Sequence, residues 1–214
     1  MSCFCVLYAA YSATVAKIHT FYDIRNKIYK KNAIRLFISF VLTIFVPDMG
    51  AIKLFLTDVD GCLTDGGMYY AANGDEMKRF CVYDGMGIVR LQKAGIPCGI
   101  LTSENTPIVA RRAEKLRLRY LYMGVGSQVN AGAKTKLEAA QEICGELGIT
   151  LDEVCFVGDD INDLDLLRVV GMPACPPNAR PEVKAVRGIR CLHTPGGQGA
   201  IRELCDHILN GIVK

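Results

Sequence analysis

The chain has 214 residues, half of them hydrophobic and 22% charged, which is enough for one full-sized domain with a buried core. Residues 1–48 carry six basic and two acidic side chains, net +4, whereas residues 49–214 carry 19 and 20, net −1. A near-neutral domain lacks the clustered basic face that a large nucleic-acid footprint requires, so nucleic acid is excluded as a partner. The ten cysteines show no CxxC or Cys/His ligand spacing, which favours reduced thiols in a cytoplasmic protein over a disulfide framework.

Residues 1–48 differ from the rest of the chain because they mix aromatic, aliphatic and lysine residues with few acids. Their longest uncharged apolar run, residues 36–46, has 11 residues, against the roughly 20 that a membrane-spanning helix needs. The lysines lie in the middle of the segment, which is unlike a signal peptide. We expect a non-catalytic N-terminal extension, or residues added by a misplaced start codon, followed by one compact domain at 49–214. A membrane-tethered form that uses the extension is the alternative.

The rest of the chain predicts alternating strands and helices. The apolar run at 52–57 predicts a buried strand, and residues 67–83, which flank the turn dipeptide Asn73-Gly74, predict a β-hairpin. The later predicted strands are 97–101, 120–123, 154–157 and 172–175, and the predicted helices are 85–94, 107–116, 134–147, 162–170 and 199–209. Such alternation is typical of right-handed βαβ units. We therefore expect an α/β fold, a Rossmann-like doubly wound parallel sheet with helices on both faces and a projecting β-hairpin.

Polar side chains follow three of these strands, at the ends where α/β sheets bind their ligands. They are Asp58 and Asp60 after the first, Thr102 and Ser103 after the second, and Asp159, Asp160 and Asp163 after the strand at 154–157. Carboxylates that meet in one crevice repel each other unless a cation lies among them. A few hard oxygen ligands with room for water and phosphate oxygens suit Mg²⁺ better than zinc. The alternative, that these Asp residues only cap a turn and a helix, is weaker when both clusters end strands of one sheet.

Other chemistries lack their motifs. An EF-hand loop that starts at Asp58 needs Gly at position six and Glu at position twelve, but Gly61 is fourth and Tyr69 is twelfth. The chain has no complete dinucleotide fingerprint and no Gly-Lys-Ser/Thr phosphate loop. It also lacks a Gly-x-Ser-x-Gly nucleophile elbow.

Four segments together resemble the motifs of the haloacid dehalogenase superfamily: Asp58-Val-Asp-Gly-Cys-Leu-Thr-Asp-Gly, the strand-end Thr102, a downstream lysine, and Gly158-Asp-Asp-Ile-Asn-Asp163. The segments that begin at Asp65, Lys78, Asp84, Asn178 and Gly196 resemble the small phosphatases of 3-deoxy-2-ulosonic acid phosphates. Only 43 residues separate Asp58 from Thr102, which leaves no room for a cap domain. The resemblance therefore implies the capless branch, whose members form homotetramers.

The resemblance implies a phosphatase in which Asp58 is the nucleophile that forms an aspartyl phosphate, and Asp60 is the general acid and base. Mg²⁺ would be held by Asp58, Asp159 and the backbone carbonyl of Asp60, with Asp163 in a supporting role. Thr102, Ser103 and a lysine would bind the phosphoryl oxygens. Lys136 fits the family's register best, and Lys134 is the alternative.

A 2-keto sugar-acid phosphate is anionic at both ends, so further charged side chains are expected to select it. The candidates are Glu104, Arg112, Lys115, Lys78 and Arg202. The stretch from Thr102 to Lys115 resembles the branch that acts on nine-carbon nononate 9-phosphates, but Ser103 departs from both that branch and the octulosonate 8-phosphate branch. Eight-carbon and nine-carbon substrates, including N-acetylneuraminate 9-phosphate, therefore both stay open.

Two further functions remain as alternatives. A catalytically silent oligomeric partner of a cytidylyl synthetase is one, although a silent copy has no physical need to keep clustered acids. A phosphomutase is disfavoured because it must exclude water from its phosphoenzyme, usually with a cap.

Overall fold

The computed structural model describes residues 52–126 and 132–212. In these residues the strands are β1 Leu54–Thr57, β2 Tyr69–Tyr70, β3 Glu76–Met77, β4 Cys98–Thr102, β5 Tyr120–Met123, β6 Val154–Val157, β7 Met172–Cys175 and β8 Arg190–Cys191. The α-helices are α1 Val82–Lys93, α2 Pro107–Lys115, α3 Lys136–Leu147, α4 Leu164–Leu167, α5 Pro181–Lys184 and α6 Ala200–Ile212. Two 3₁₀ turns, Leu151–Glu153 and Ile161–Asp163, precede β6 and α4. The predicted extension, residues 1–48, lies outside the described residues.

Six of the strands form one parallel sheet in the order β5-β4-β1-β6-β7-β8. β1 lies near its centre and is buried on both faces, as its continuous apolar run predicts. Phe55 packs in the core layer under α1, α2 and α6, whereas Leu54 and Leu56 pack on the opposite layer under α3, α4 and α5. The predicted doubly wound parallel sheet is therefore confirmed.

The hairpin of β2 and β3 projects between β1 and α1. Apart from this hairpin and α1, no domain is inserted between Asp58 and Thr102, so the expected absence of a cap holds for this fully described stretch. No helix within the described ranges is long and apolar enough to cross a membrane.

Local sequence signals explain where α2 and α3 begin. Thr106 caps α2 by accepting the backbone N–H of Ile108 at 3.3 Å, and Pro107 occupies the first helical position. Thr135 and Glu138 form a reciprocal capping box at the start of α3. The capping box therefore defines the start of α3, whose first residue is Lys136.

Three predicted elements differ from the structure. The second hairpin strand ends at Met77, not at residue 83, and α1 starts at Val82 instead of residue 85. The helix predicted at 162–170 is a 3₁₀ turn followed by the four-residue α4, because the Asp163 side chain turns inward to accept two backbone N–H groups. The short α5 and β8 have no counterpart among the predicted elements.

Candidate active site

An open cavity of about 330 Å³ lies at the carboxyl ends of β1, β4 and β6. Asp58 and Asp60 follow β1, Thr102 ends β4, and Asp159 follows β6, and all four line this cavity. Parallel strands bring their carboxyl ends to one edge of the sheet, so residues about 100 positions apart become neighbours. The structure thus places the strand-end side chains together.

Three carboxylates and one ammonium form the deepest part of the site. Oxygens of Asp58, Asp159 and Asp163 lie within 4.8 Å of one another. The Lys136 ammonium lies 3.0 Å from Asp58 Oδ2 and 2.6 Å from Asp163 Oδ1, and its side chain is 1% exposed. Lys134, the alternative lysine, instead pairs with Glu142 on the surface.

Burial makes the charges of this cluster costly. Burial raises the pKa of Asp58. The Lys136 ammonium opposes this rise, and the Asp163 carboxylate adds to it. Burial and the neighbouring Asp163 carboxylate raise the pKa of Asp159 to about 7. Burial lowers the pKa of Lys136, but Asp58 and Asp163 raise it above its ordinary value, so the ammonium stays charged. When ionised, the four groups carry a net charge of −2.

The donor set fits a hard divalent cation. All the candidate ligands are carboxylate oxygens, which suit Mg²⁺, Mn²⁺ or Ca²⁺ better than a soft metal. A dication would also offset the net charge of −2 that Lys136 leaves uncompensated. Asp163 already accepts the backbone N–H groups of Asp159 and Asp160 at 2.9 and 3.2 Å, so its contribution is to orient the loop as well as to supply charge.

Gly61 lets the loop after β1 lie close against Asp159. Gly61 has φ +80°, and a Cβ at this position would overlap the Asp159 carboxylate. The Gly61 carbonyl accepts Nδ2 of Asn178 at 2.8 Å, while Asn178 Oδ1 accepts the N–H of Gly196 at 2.8 Å. Asn178 therefore ties the loop after β1 to the segment that precedes α6.

Asp60 lies at the side of the cavity that the hairpin faces. Its Oδ1 accepts Lys78 Nζ at 2.5 Å, and the same ammonium lies 2.8 Å from Glu104 Oε2. Burial lowers the pKa of Lys78, but hydrogen bonds to the two carboxylates raise it above its ordinary value. The structure thus joins Lys78 and Glu104, both predicted to select substrate, in one ion-pair network.

Ser103 and Asn162 form part of the opposite wall. Asn162 Nδ2 donates to Ser103 Oγ at 2.7 Å, which links the ends of β4 and β6. Thr102 Oγ1 accepts the N–H of Glu104 at 3.3 Å. Asp160 caps the 3₁₀ turn through Ile161 N–H at 2.7 Å.

Of the five predicted substrate-selecting residues, only Glu104 lines the cavity. Lys78 contacts Asp60 and Glu104 from outside the lining, and the other three make their contacts elsewhere. Arg112 donates to the Cys81 carbonyl at 3.1 Å and stacks over Phe80 at the base of the hairpin. Lys115 is exposed at the end of α2. The guanidinium of Arg202 pairs with Asp206 at 2.7 Å.

Sequence reasoning gave no site role to Asn178 or Cys62. The buried Cys62 thiol lies 3.6 Å from Asp159 Oδ1 as a weak donor, and burial raises the pKa of this thiol. Because Cys62 lies inside the first motif, the sequence could have placed it near the carboxylate cluster. Its contact with Asp159, however, joins two loops that are 97 residues apart in the chain. Neither long-range contact has a periodic signal in the sequence.

Comparison with known proteins decides the family. A family model of haloacid dehalogenase-like hydrolases matches residues 80–171. The 3-deoxy-D-manno-octulosonate 8-phosphate phosphatase KdsC of Haemophilus influenzae is 37% identical over 162 residues, which cover 74% of this chain and 83% of that relative. The chain belongs to the haloacid dehalogenase-like hydrolases, in the family of the KdsC phosphatases. The resemblance inferred from the motifs is confirmed.

Solved structures of KdsC phosphatases share the fold. The Moraxella catarrhalis phosphatase, in complex with magnesium, phosphate and KDO, has a TM-score of 0.69 at 36% identity, covering 76% of this chain and 88% of that one. The cobalt-bound Haemophilus influenzae phosphatase has a TM-score of 0.70 at 34% identity, covering 78% and 93%. This member of the KdsC family is a phosphoric monoester hydrolase, and the comparisons give no support to a catalytically silent partner.

Proposed function

We propose that the protein is a Mg²⁺-dependent phosphatase of a 3-deoxy-2-ulosonic sugar-acid phosphate, with octulosonate 8-phosphate as the first candidate substrate. The observation that carries the proposal is the position of Asp58, which has Lys136 at 3.0 Å and oxygens of Asp159 and Asp163 within 4.8 Å, at the bottom of a cavity. A dianionic phosphate approaches a carboxylate only where cations offset the repulsion, and here Lys136 together with a bound dication would do so.

The reaction proceeds in two displacements. An Asp58 carboxylate oxygen attacks phosphorus, the bond from phosphorus to the sugar oxygen breaks, and Asp60 supplies the proton to that oxygen. Water then attacks the aspartyl phosphate, Asp60 takes its proton, and phosphate leaves with the Asp58 carboxylate restored. General acid and base catalysis at Asp60 contributes roughly 10²- to 10⁴-fold.

Other side chains hold the phosphoryl group. Thr102 ends β4 and Ser103 follows it, and both line the cavity. Lys136 is the buried cation next to Asp58. Asp58, Asp159 and the backbone carbonyl of Asp60 would hold Mg²⁺, with Asp163 in support. When bound, the cation polarises the phosphoryl oxygens and neutralises developing charge.

The candidate substrates differ in the length of their carbon chain. The names of the relatives favour the eight-carbon acid, whereas Glu104, next to Ser103 at the cavity rim, resembles the nine-carbon branch. We therefore place octulosonate 8-phosphate first and nononate or N-acetylneuraminate 9-phosphate second.

We also propose a cytoplasmic homotetramer. Exposed apolar side chains of the hairpin and α1 support self-association: Met68, Tyr69, Tyr70, Met77, Val82, Tyr83 and Met86. The eight cysteines of the described residues are all free thiols, which fits a reducing compartment. Light scattering coupled to size-exclusion chromatography would measure the mass of the protein in solution. A monomer mass would contradict the tetramer proposal.

Phosphate release from the three sugar-acid phosphates, with Mg²⁺ and then with a chelator, tests the proposal. We expect one substrate to dominate, with activity lost in the chelator and in Asp58→Asn. Comparable release by folded Asp58→Asn would contradict the assigned nucleophile, and no release from any of the three would contradict the substrate class.

A further inference from the structure

Lys78 is a buried lysine of the hairpin whose ammonium is enclosed by side chains of the active site. It follows β3 in the hairpin, and its side chain is 1% exposed, compared with 29% for Asp60 and 39% for Glu104. Its ammonium lies 2.5 Å from Asp60 Oδ1 and 2.8 Å from Glu104 Oε2. A cation enclosed in this way between two acids connects the hairpin to the ends of β1 and β4.

The hydrogen-bonding capacity of this ammonium is fully used within the chain. A lysine has three N–H donors, and the third potential partner is the Met68 sulfur at 3.4 Å. Lys78 therefore acts on its neighbours, because no donor is left over for a substrate oxygen unless one of these contacts breaks.

The contact with Asp60 is one-sided. In residues 52–126 and 132–212, the close side-chain donor to this carboxylate is Lys78, whose ammonium lies 2.5 Å from Oδ1. Thr64 Oγ1 also lies on the Oδ1 side at 3.4 Å, but its single proton has the Val59 carbonyl at 3.3 Å as another acceptor. The short Lys78 contact holds Oδ1 in place, which restrains the rotation of the carboxyl plane and leaves Oδ2 for proton transfer.

We propose that Lys78 is a positioning residue that holds Asp60 Oδ1, so that Oδ2 is the oxygen that gives and takes the proton. The inference rests on the acid and base role of Asp60 in the proposed function. Without Lys78, the Asp60 carboxylate can rotate and also faces Glu104 with no cation between them. A misplacement of about 1 Å in such a group can cost 10²-fold in rate.

Two aryl phosphates test the proposal in the full-length chain. Phenyl phosphate has a poor leaving group that needs a proton, p-nitrophenyl phosphate has a good one, and neither carries a carboxylate that Lys78 could bind. We expect Lys78→Met to lower kcat/KM for phenyl phosphate at least about 10-fold more than for p-nitrophenyl phosphate. Lys78→Gln, which keeps a neutral donor, is expected to give a smaller change in this ratio.

The matched control is Arg79→Met, which removes one charge from the neighbouring position, where Arg79 pairs with Asp65 at 3.6 Å on the surface. Its kcat/KM ratio for the two esters should equal that of the wild type. Equal losses on both esters in folded Lys78→Met and Lys78→Gln would overturn the inference, and so would a loss confined to the sugar-acid phosphate, which indicates substrate binding.

Asp60→Asn separates this inference from the proposed function. If Asp60→Asn leaves the ratio of the two esters unchanged, the acid role itself fails. If Asp60→Asn shifts the ratio and Lys78→Met does not, only the Lys78 inference fails. Because Lys78 acts through Asp60, adding Lys78→Met to Asp60→Asn should produce no further shift in the ratio.

Discussion

Lys136 is a buried ammonium that compensates two buried carboxylates at once. Removing one partner of a buried ion pair leaves uncompensated charge and typically costs about 3–5 kcal/mol. We therefore expect Lys136→Met to lower the free energy of unfolding by roughly this amount in urea titrations with chelator, and to reduce kcat at least about 10²-fold.

Lys134→Met is the control for this change, since Lys134 pairs with Glu142 on the surface. Its free energy of unfolding should stay within about 0.5 kcal/mol of the wild type. A larger effect on activity at Lys134 than at Lys136 would mean that the alternative lysine binds the phosphate.

Gly61 tests how tightly the loop after β1 fits against Asp159. In Gly61→Ala the new Cβ would overlap the Asp159 carboxylate, and the φ of +80° would be strained as well. We expect phosphate release to fall at least about 10²-fold, measured at saturating Mg²⁺.

Gly74→Ala is the matched control, because Gly74 has a similar φ of +88° and a Cβ there meets no described atom within 4 Å. It carries the backbone strain without the clash, so its activity should stay near wild type. Equal losses of activity in the two variants would show that strain, not the displacement of Asp159, is responsible.

At the scale of single residues, much of the site was predictable. The positions of Asp58, Thr102 and Asp159 follow from one rule, that parallel strands end at the same edge. The contact of Lys78 with Asp60 and the tie that Asn178 makes to Gly61 were not predictable, because each depends on where a separate loop folds back and leaves no spacing pattern.

Asp84 links two elements, since its carboxylate on α1 caps the start of α6. It is fully buried, and its Oδ1 accepts the N–H of Arg202 at 2.9 Å. Burial raises the pKa of Asp84 from 3.8 to about 6, although the backbone N–H groups of Arg202, Gly199 and Ile201 oppose this rise. The folded state therefore holds this proton more tightly than the unfolded state.

The sign of the resulting pH dependence follows from linkage. Between about pH 4 and pH 6 the folded protein binds more protons at Asp84, so this group's contribution to stability falls as pH rises through that window. In the wild type, we expect the contribution of Asp84 to the free energy of unfolding to fall by on the order of 2 kcal/mol across this pH window. We expect Asp84→Asn to lack this fall. Urea unfolding at several pH values, with chelator present for both proteins, measures the difference. Parallel pH profiles of the two proteins would contradict this assignment.

Asp84 also explains why the start of α1 was missed. Residues 77–83 are apolar enough to predict a strand, but Val82 and Tyr83 belong to a helix whose first turn is fixed by the contact of Asp84 with α6. That partner lies 118 residues away. The capped helices α2 and α3, by contrast, have signals within a few residues and were predicted closely.

For the whole molecule, the alternation of apolar strands with helices was sufficient to predict the architecture. β5, β6 and β7 have the predicted bounds. β6 and β7 are buried throughout, as their short apolar runs predict, whereas β5 is a half-buried edge strand. The strand order was not predictable, since many strand orders satisfy the same alternation. The contact of the hairpin with the site was not predictable either, and both are known only from the structure.

Cation binding should stabilise the whole fold through the carboxylate cluster. A ligand that binds only the folded state at 100 times its Kd contributes about 2.7 kcal/mol. We expect Mg²⁺ to raise the Tm of the wild type relative to chelator, and to raise that of Asp159→Asn much less. An equal rise in both proteins would place the cation elsewhere.

As the proposed nucleophile, Asp58 carries the phosphoryl group between the two displacements. The most direct measurement is acid quenching during turnover of octulosonate 8-phosphate, borohydride reduction of any acyl phosphate, and mass spectrometry of the peptide that contains residues 54–63. We expect Asp58 to be converted to homoserine only when substrate is present. Reduction at another residue, or none at all while folded Asp58→Asn still turns over, would contradict it.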